Sequence, residues 1–235
     1  MAGLDQLLGD FILILPVLVF SMVAHEYAHG AAALAQGDDT AYMLGRLTLN
    51  PLPHIDPVQS ILIPGVMFFA TSGRFVFGGA KPIPVNTRKF RNFRRGDLIV
   101  SSAGVLTNAV LVPVFAALFI LLRYLADATG AAAPLETAQR MMMCGIYMNL
   151  LLAVFNSLPI PPLDGSKVLY HALPARVGAH YRSLDRLGVM PLILLLVFLN
   201  PLLQMLLAPV GWGYSTLAGV LAPFAVGPGW NALGG

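Results

Sequence analysis

The sequence predicts an all-α polytopic membrane bundle, and three observations carry that expectation. Hydrophobic residues make up 57% of the 235-residue chain and charged residues 11%, whereas soluble domains carry roughly 25% charged residues. The apolar residues fall in long blocks: 98–122 and 189–216 contain no charged residue, and about 18 such residues in a row suffice for a spanning helix. The remaining charge is unevenly placed. Arg74, Lys81, Arg88, Lys89, Arg91, Arg94 and Arg95 supply half of the 14 Lys and Arg, and Lys167, Arg176, Arg182 and Arg186 form a second cluster.

The first apolar block covers 7–34 and contains Pro16, which a membrane helix tolerates. Asp5 and Asp10 stand where a signal peptide would be basic, so this block is expected to stay in the mature protein. Residues 36–57 are rich in turn formers and read as loop with short extended pieces. The apolar stretch 58–71 is short and broken by Pro64-Gly65, which suits a re-entrant segment or one arm of a hairpin. Spans are expected at 98–122, 137–158 and 189–207. Residues 213–226 read as a last span or an interfacial segment, with Trp212 and Tyr214 at the membrane boundary. Two spans separate the basic clusters, so both can face the cytoplasm under the positive-inside bias. No internal repeat or soluble linker divides the chain, and 1–235 reads as one membrane-embedded domain. Neither basic cluster belongs to a nucleic-acid reading module, so nucleic-acid partners are not expected. Cys144 is the one cysteine. It excludes a Cys-based zinc site and reads as a small packing residue.

Chemistry concentrates near the end of the first block. His25 and His29 are four residues apart, so on a helix their imidazoles leave one face about 6 Å apart along the axis. Two such histidines can hold one zinc ion, with Glu26 on the flank of that face as general base: the His-Glu-x-x-His pattern of zinc proteases. The chain holds two glutamates and five histidines. Three ionisable residues within five positions of an apolar helix are costly unless paired or ligated. The bland alternative is a hydrogen-bonded His–Glu cluster. Zinc needs a third protein ligand and an open position. Asp164 closes an apolar span inside the Pro-rich break 158–165, where unwound backbone is tolerated if it lines a cavity. The rival donors are His54 and Asp56, and Asp164 could instead be a helix-end cap.

These residues resemble the site-2 protease family of intramembrane zinc metalloproteases, and more narrowly its compact bacterial members without PDZ or CBS domains. His25-Glu26-Tyr27-Ala28-His29-Gly30 resembles the family's zinc helix. Asn156-x-x-Pro159-x-Pro161-x-Leu163-Asp164-Gly165 follows its second motif in spacing. Gly45-Arg46 through His54-x-Asp56-Pro57, and the run Gly79 to Asn86, resemble segments of the compact branch. Ala103-Gly104-x-x-x-Asn108 resembles a small-residue motif on the middle helix, with Val105 in place of the usual proline. The match runs from His25 to about Lys167.

The resemblance implies a three-helix catalytic core, here 7–34, 98–122 and 137–158. It implies Zn2+ held by His25, His29 and Asp164, Glu26 as catalytic base, and Asn156 and Asn108 as substrate contacts. It also implies transmembrane protein substrates, regulated intramembrane proteolysis, and a bacterial inner-membrane location with the site towards the cytoplasm. An extended substrate could pair by strand addition with pieces near 45–56 or 75–86. Two other classes are weighed beside this one. An ion transporter would use the intramembrane His and Asp as a pathway, but paired broken helices in two halves are missing. A non-catalytic membrane binding protein of the same fold would be expected to lack Glu26, which is present.

Overall fold

A computed structural model describes residues 2–70 and 79–230, and the fold is an all-α bundle built on long apolar helices. Helix α1 (Ala2–Gln36) carries Pro16 in its interior. Ile12 and Phe20 are exposed on one side of it while Ile14, Leu18 and Met22 are buried on another, all of them apolar. A helix that is apolar on its outer side as well as its inner side suits a lipid surrounding. A short helix α2 (Thr40–Met43) and a tight turn at Leu52–His54 follow. A wide helical turn at Pro57–Leu62 then runs into α3 (Ile63–Ala70).

Helix α4 (Phe93–Thr129) is the longest. The Asn92 side chain caps its start by accepting from the Arg95 N–H at 3.0 Å. Its end is set by Gly130, at φ 69° in the left-handed region that glycine adopts without strain. Helix α5 (Ala132–Asn156) returns against it. The shorter α6 (Asp164–Ala172), α7 (Ala175–Arg182) and α8 (Met190–Phe198) lead to α9 (Asn200–Leu221).

Four segments are long and apolar enough to cross a membrane: Leu8–Gln36, Phe93–Thr129, Ala132–Asn156 and Pro201–Phe224. With the composition, they make this a membrane protein. Helices α1, α4 and α5 pack together as the expected three-helix core. Val17, Phe115, Phe119, Met143 and Ile146 are buried at their junction. Helix α9 docks on α5, where Tyr214 meets Tyr147 edge-on at 5.6 Å between ring centres.

Two segments depart from the sequence expectation. The block 189–207 is not one span, and 213–226 is not a separate segment. The chain leaves helical geometry at Leu199, with φ −117° and ψ 33°, between the nine-residue α8 and the 22-residue α9. Pro201 lies in the first turn of α9. Proline lacks the N–H that would continue an incoming helix and disfavours helical geometry in the residue before it. Hydropathy is blind to such a break because both sides of it are apolar.

The stretch after Pro57 leaves one end of the bundle and comes back to it. Phe68 and Phe69 of α3 meet Phe11 of α1 with ring centres 5.4 and 5.6 Å apart. Phe11 precedes Glu26 by 15 residues, about 22 Å of helix. By Gly79 the chain has returned: the Gly79 carbonyl accepts from Ser60 Oγ at 2.7 Å, and the Lys81 N–H donates to the His54 carbonyl at 2.8 Å. Both ends of this excursion therefore lie at one end of the bundle. Residues 79–86 are extended, and no strand forms among the described residues. Of the pieces considered for strand addition, 75–78 lies outside the described residues, as does Arg74 of the first basic cluster.

Both basic clusters lie at that same end. The Arg94 guanidinium donates to the His171 carbonyl at 3.1 Å, and Arg182 sits 5.3 Å above the Phe93 ring.

Candidate metal centre

Two helices bring three side chains to one point. His25 and His29 are one turn apart on α1, and Asp164 is the first residue of α6. The two Nε2 atoms lie 3.0 Å apart, and Asp164 Oδ2 lies 3.3 Å from His25 Nε2 and 3.0 Å from His29 Nε2. All three residues are buried. Among the described residues they form the group of His, Cys, Asp or Glu donors able to share a metal ion.

The backbone makes this convergence possible at two glycines. A Cβ on Gly104 of α4 would stand 2.5 Å from His25 Cε1 and 2.6 Å from His29 Nε2. Any side chain there would occupy the space of the imidazoles. A Cβ on Gly165 would collide with the backbone of Ser157. Glycine at that position lets the start of α6 fold tightly back onto the end of α5, which carries Asp164 to the histidines.

The hydrogen bonds around the trio decide what it can hold. His25 Nδ1 faces Asn108 Oδ1 at 2.6 Å, and His29 Nδ1 faces the Val100 carbonyl at 2.7 Å. The Val100 carbonyl is only an acceptor, so His29 Nδ1 carries the proton and its Nε2 presents a lone pair. With Asn108 Oδ1 as acceptor, the same holds for His25. Two lone pairs and a carboxylate oxygen then face one another at about 3 Å. A single proton would satisfy one of the three contacts, whereas a cation at their centre satisfies all of them. Imidazoles whose second nitrogen donates to a carbonyl are the usual arrangement of histidine ligands, so the donor set fits zinc with two nitrogens and one carboxylate. Lys167 Nζ donates to Asp164 Oδ1 at 3.2 Å, leaving Oδ2 turned to the histidines.

His54 and Asp56, the rival donors, are used elsewhere. His54 Nε2 donates to the Thr48 carbonyl at 3.0 Å, and Asp56 Oδ1 accepts from the Val58 N–H at 2.9 Å. Neither residue lines the cavity at the trio.

That cavity encloses about 950 Å³. His25, Glu26, His29 and Asp164 line one part of it, with Asn156, Ser101 and Asp97 nearby. Leu18, Met22, Met148, Leu152, Phe155 and Leu207 give it apolar walls. Glu26 Oε2 accepts from the Ile83 N–H at 2.7 Å. Gly79, Ala80, Pro82, Ile83 and Val85 of the extended segment line the same cavity, and the segment 45–56 does not. Pro82 and Pro84 remove every second N–H from that segment, which leaves one of its edges short of donors for a pairing strand. Asn156 Nδ2 donates back to the Leu152 carbonyl at 3.0 Å.

Asn108 is not at the cavity wall. It is fully buried behind His25, one turn beyond Gly104 on the face of α4 packed against α1 and α5. Sequence reasoning also missed Asn149 and Ser21, which hydrogen-bond in the same buried space, and Ser101. The available signal was an amide or hydroxyl inside an apolar span, which is costly unless used.

A membrane bundle whose core helices bring two imidazoles and a carboxylate to one point, beside a glutamate, has the makings of a membrane metallohydrolase. No family model matches the chain, and no solved structure matches it. Curated relatives do. The chain is 35% identical over 212 residues, 88% of its own length and 91% of the relative's, to a Bacillus subtilis protein named "Putative zinc metalloprotease YwhC". It is 32% identical over 161 residues, 67% of its length and 56% of the relative's, to "Putative zinc metalloprotease Rip2" of Mycolicibacterium smegmatis. The Mycobacterium tuberculosis protein of that name is 29% identical over 215 residues, 89% of this chain and 73% of the relative. The chain belongs to this family of zinc metalloproteases, the site-2 protease family, and its metal is zinc.

Proposed function

We propose that this protein is an intramembrane zinc endopeptidase that hydrolyses peptide bonds in or near the transmembrane segments of other membrane proteins. The observation that carries the reading is the position of the His25–His29–Asp164 trio and Glu26 on a cavity whose remaining walls are apolar side chains of the bundle. We take it as one membrane-embedded domain with the motifs of the compact bacterial branch. Its place is the bacterial inner membrane, with both basic clusters and the site towards the cytoplasm, and its role is regulated intramembrane proteolysis.

His25, His29 and Asp164 are the residues that would hold the ion. Zinc bound there supplies Lewis acidity, which brings the ionisation of water towards neutral pH and polarises a carbonyl. Glu26 then takes the proton of the attacking water and returns it to the leaving amine. The Ile83 N–H fixes Glu26 Oε2, so the carboxylate is held still for this transfer. Ser101 Oγ is buried without a partner among the described residues, on the cavity wall. The hydroxyls of Ser21, Thr129 and Ser157 instead donate to the carbonyl four residues back. Asn156, on the cavity wall, has an Oδ1 that can accept from a substrate N–H. A transmembrane helix hides its carbonyls in its own hydrogen bonds, so the substrate must unwind locally to reach these groups.

The test is Glu26→Gln, which keeps the size of the side chain and removes the base. Zinc is expected to stay bound while cleavage of single-span substrates falls by about 10²–10⁴-fold, with uncut complex accumulating. Equal cleavage, or none, by wild type and variant over a broad substrate panel would favour a non-catalytic binding protein or a transporter.

A further inference from the structure

The helices α1, α4 and α5 share a chain of buried polar groups that runs away from the metal centre. His25 Nδ1 meets Asn108 Oδ1 at 2.6 Å. Asn108 Nδ2 donates to Asn149 Oδ1 at 2.8 Å, and lies 3.4 Å from the Ser21 carbonyl. Asn149 Nδ2 donates to Ser21 Oγ at 2.9 Å and to the Gly145 carbonyl at 2.8 Å. Ser21 Oγ donates to the Val17 carbonyl at 2.8 Å. Asn108, Asn149 and Ser21 are fully buried.

The direction of this chain is fixed from its far end. The Gly145 carbonyl can only accept, so the atom of Asn149 that faces it must be the amide nitrogen. Asn149 therefore turns its oxygen to Asn108. Asn108 must answer with its nitrogen, which the Ser21 carbonyl also requires, and so turns its oxygen to His25. An oxygen there obliges His25 Nδ1 to carry the proton, which leaves Nε2 as the lone-pair donor that faces Asp164 and His29. A flipped Asn108 would offer N–H to Nδ1 and favour the opposite tautomer, whose protonated Nε2 cannot bind a metal.

We propose that Asn149 is a positioning residue: anchored on the Gly145 carbonyl, it sets the orientation of Asn108 and thereby holds His25 in its zinc-binding tautomer. This rests on His25 being a zinc ligand. Ser21 has a different place in the chain. It fills the second donor bond of Asn149, but the Gly145 carbonyl fixes the direction without it. Loss of the Ser21 hydroxyl therefore weakens the packing of the three helices and leaves the tautomer in place.

The experiment compares zinc affinity, measured by chelator competition on detergent-purified full-length protein, for wild type, His25→Ala, Asn149→Leu, Asn149→Ala and Ser21→Ala. The visible spectrum of each cobalt-substituted protein is recorded as a second readout. Asn149→Leu keeps the volume of the side chain, and Asn149→Ala serves if the larger side chain disturbs folding. Outer-sphere partners of metal-binding histidines are worth roughly 10–100-fold in affinity. Both Asn149 variants are expected to bind zinc at least about 10-fold more weakly with a changed cobalt spectrum, while Ser21→Ala matches wild type and shows only a lower thermal midpoint. Wild-type affinity and spectrum in the Asn149 variants would overturn the relay, and so would equal weakening in Ser21→Ala, which is the mark of packing alone. Asn149→Ser returns a hydroxyl that can donate to the Gly145 carbonyl and accept from Asn108, and is expected to recover part of the affinity; no recovery would count against a directional role. If His25→Ala binds zinc as wild type does, the site itself is wrong and the relay falls with it. If His25→Ala loses zinc and the Asn149 variants do not, only the relay fails.

Discussion

Two buried ionic clusters stand beside the same cavity, and they differ in one respect. At Asp97–His171 one imidazole nitrogen meets one carboxylate oxygen at 2.7 Å, with both side chains buried. A single shared proton completes that pair, and it ties α6 to the start of α4 without an ion. At His25–His29–Asp164 both Nδ1 atoms are already occupied, and three acceptor atoms converge. The difference between a structural ion pair and a metal site is thus a count of protons against lone pairs. Burial and residue type are alike in the two. Breaking each cluster should therefore have separate consequences.

The largest effect is expected at the trio. Wild type should carry about one zinc per chain, because three ligands and an open position make one site. His29→Ala or Asp164→Ala should lose it together with all cleavage. Metal analysis of purified protein decides this, and equal zinc in wild type and Asp164→Ala would move the third ligand elsewhere. Next comes Glu26→Gln, where turnover falls with the metal retained.

The Asp97–His171 pair sharpens the comparison from the other side. His171→Leu leaves Asp97 buried without its partner, which should destabilise the protein by about 3–5 kcal/mol. Zinc content per folded chain should not change. A drop in both would mean that the second cluster belongs to the metal site after all. The smallest effect is expected at Asp56→Ala, which removes a cap on the Val58 N–H. About 1 kcal/mol of stability is at stake there, with zinc and cleavage unaltered. Loss of metal in this variant would revive the His54–Asp56 alternative.

The two clusters were also unequally legible in the sequence. His25 and His29 follow from helical spacing alone, because four residues place two side chains on one face whatever the rest of the fold does. Asp164 needed more: a carboxylate at the end of an apolar span in a Pro-rich break, and then a family pattern. The pairing of Asp97 with His171 could not be read, since 74 residues separate them and nothing local links them. The same holds for the Val100 carbonyl on His29, because a backbone acceptor has no sequence signature. Asn108 was visible as a polar residue in an apolar helix, but its role was read from resemblance as substrate contact. The packing of α4 against α1 turned it to the back of His25 instead. The α8–α9 break is not legible from hydropathy because the segments on both sides of Asn200 are apolar, although Pro201 marks the place. The course of α3 was open in the sequence, and the Ser60–Gly79 bond shows that its two ends lie together.

The central claim is that zinc sits between two imidazoles and one carboxylate, and X-ray absorption at the zinc edge of the purified protein tests it most directly. The expected spectrum shows two histidine nitrogens and oxygen ligands at about 2.0–2.2 Å and no sulfur. A sulfur shell near 2.3 Å, which would bring in Cys144, or a histidine count other than two, would contradict it.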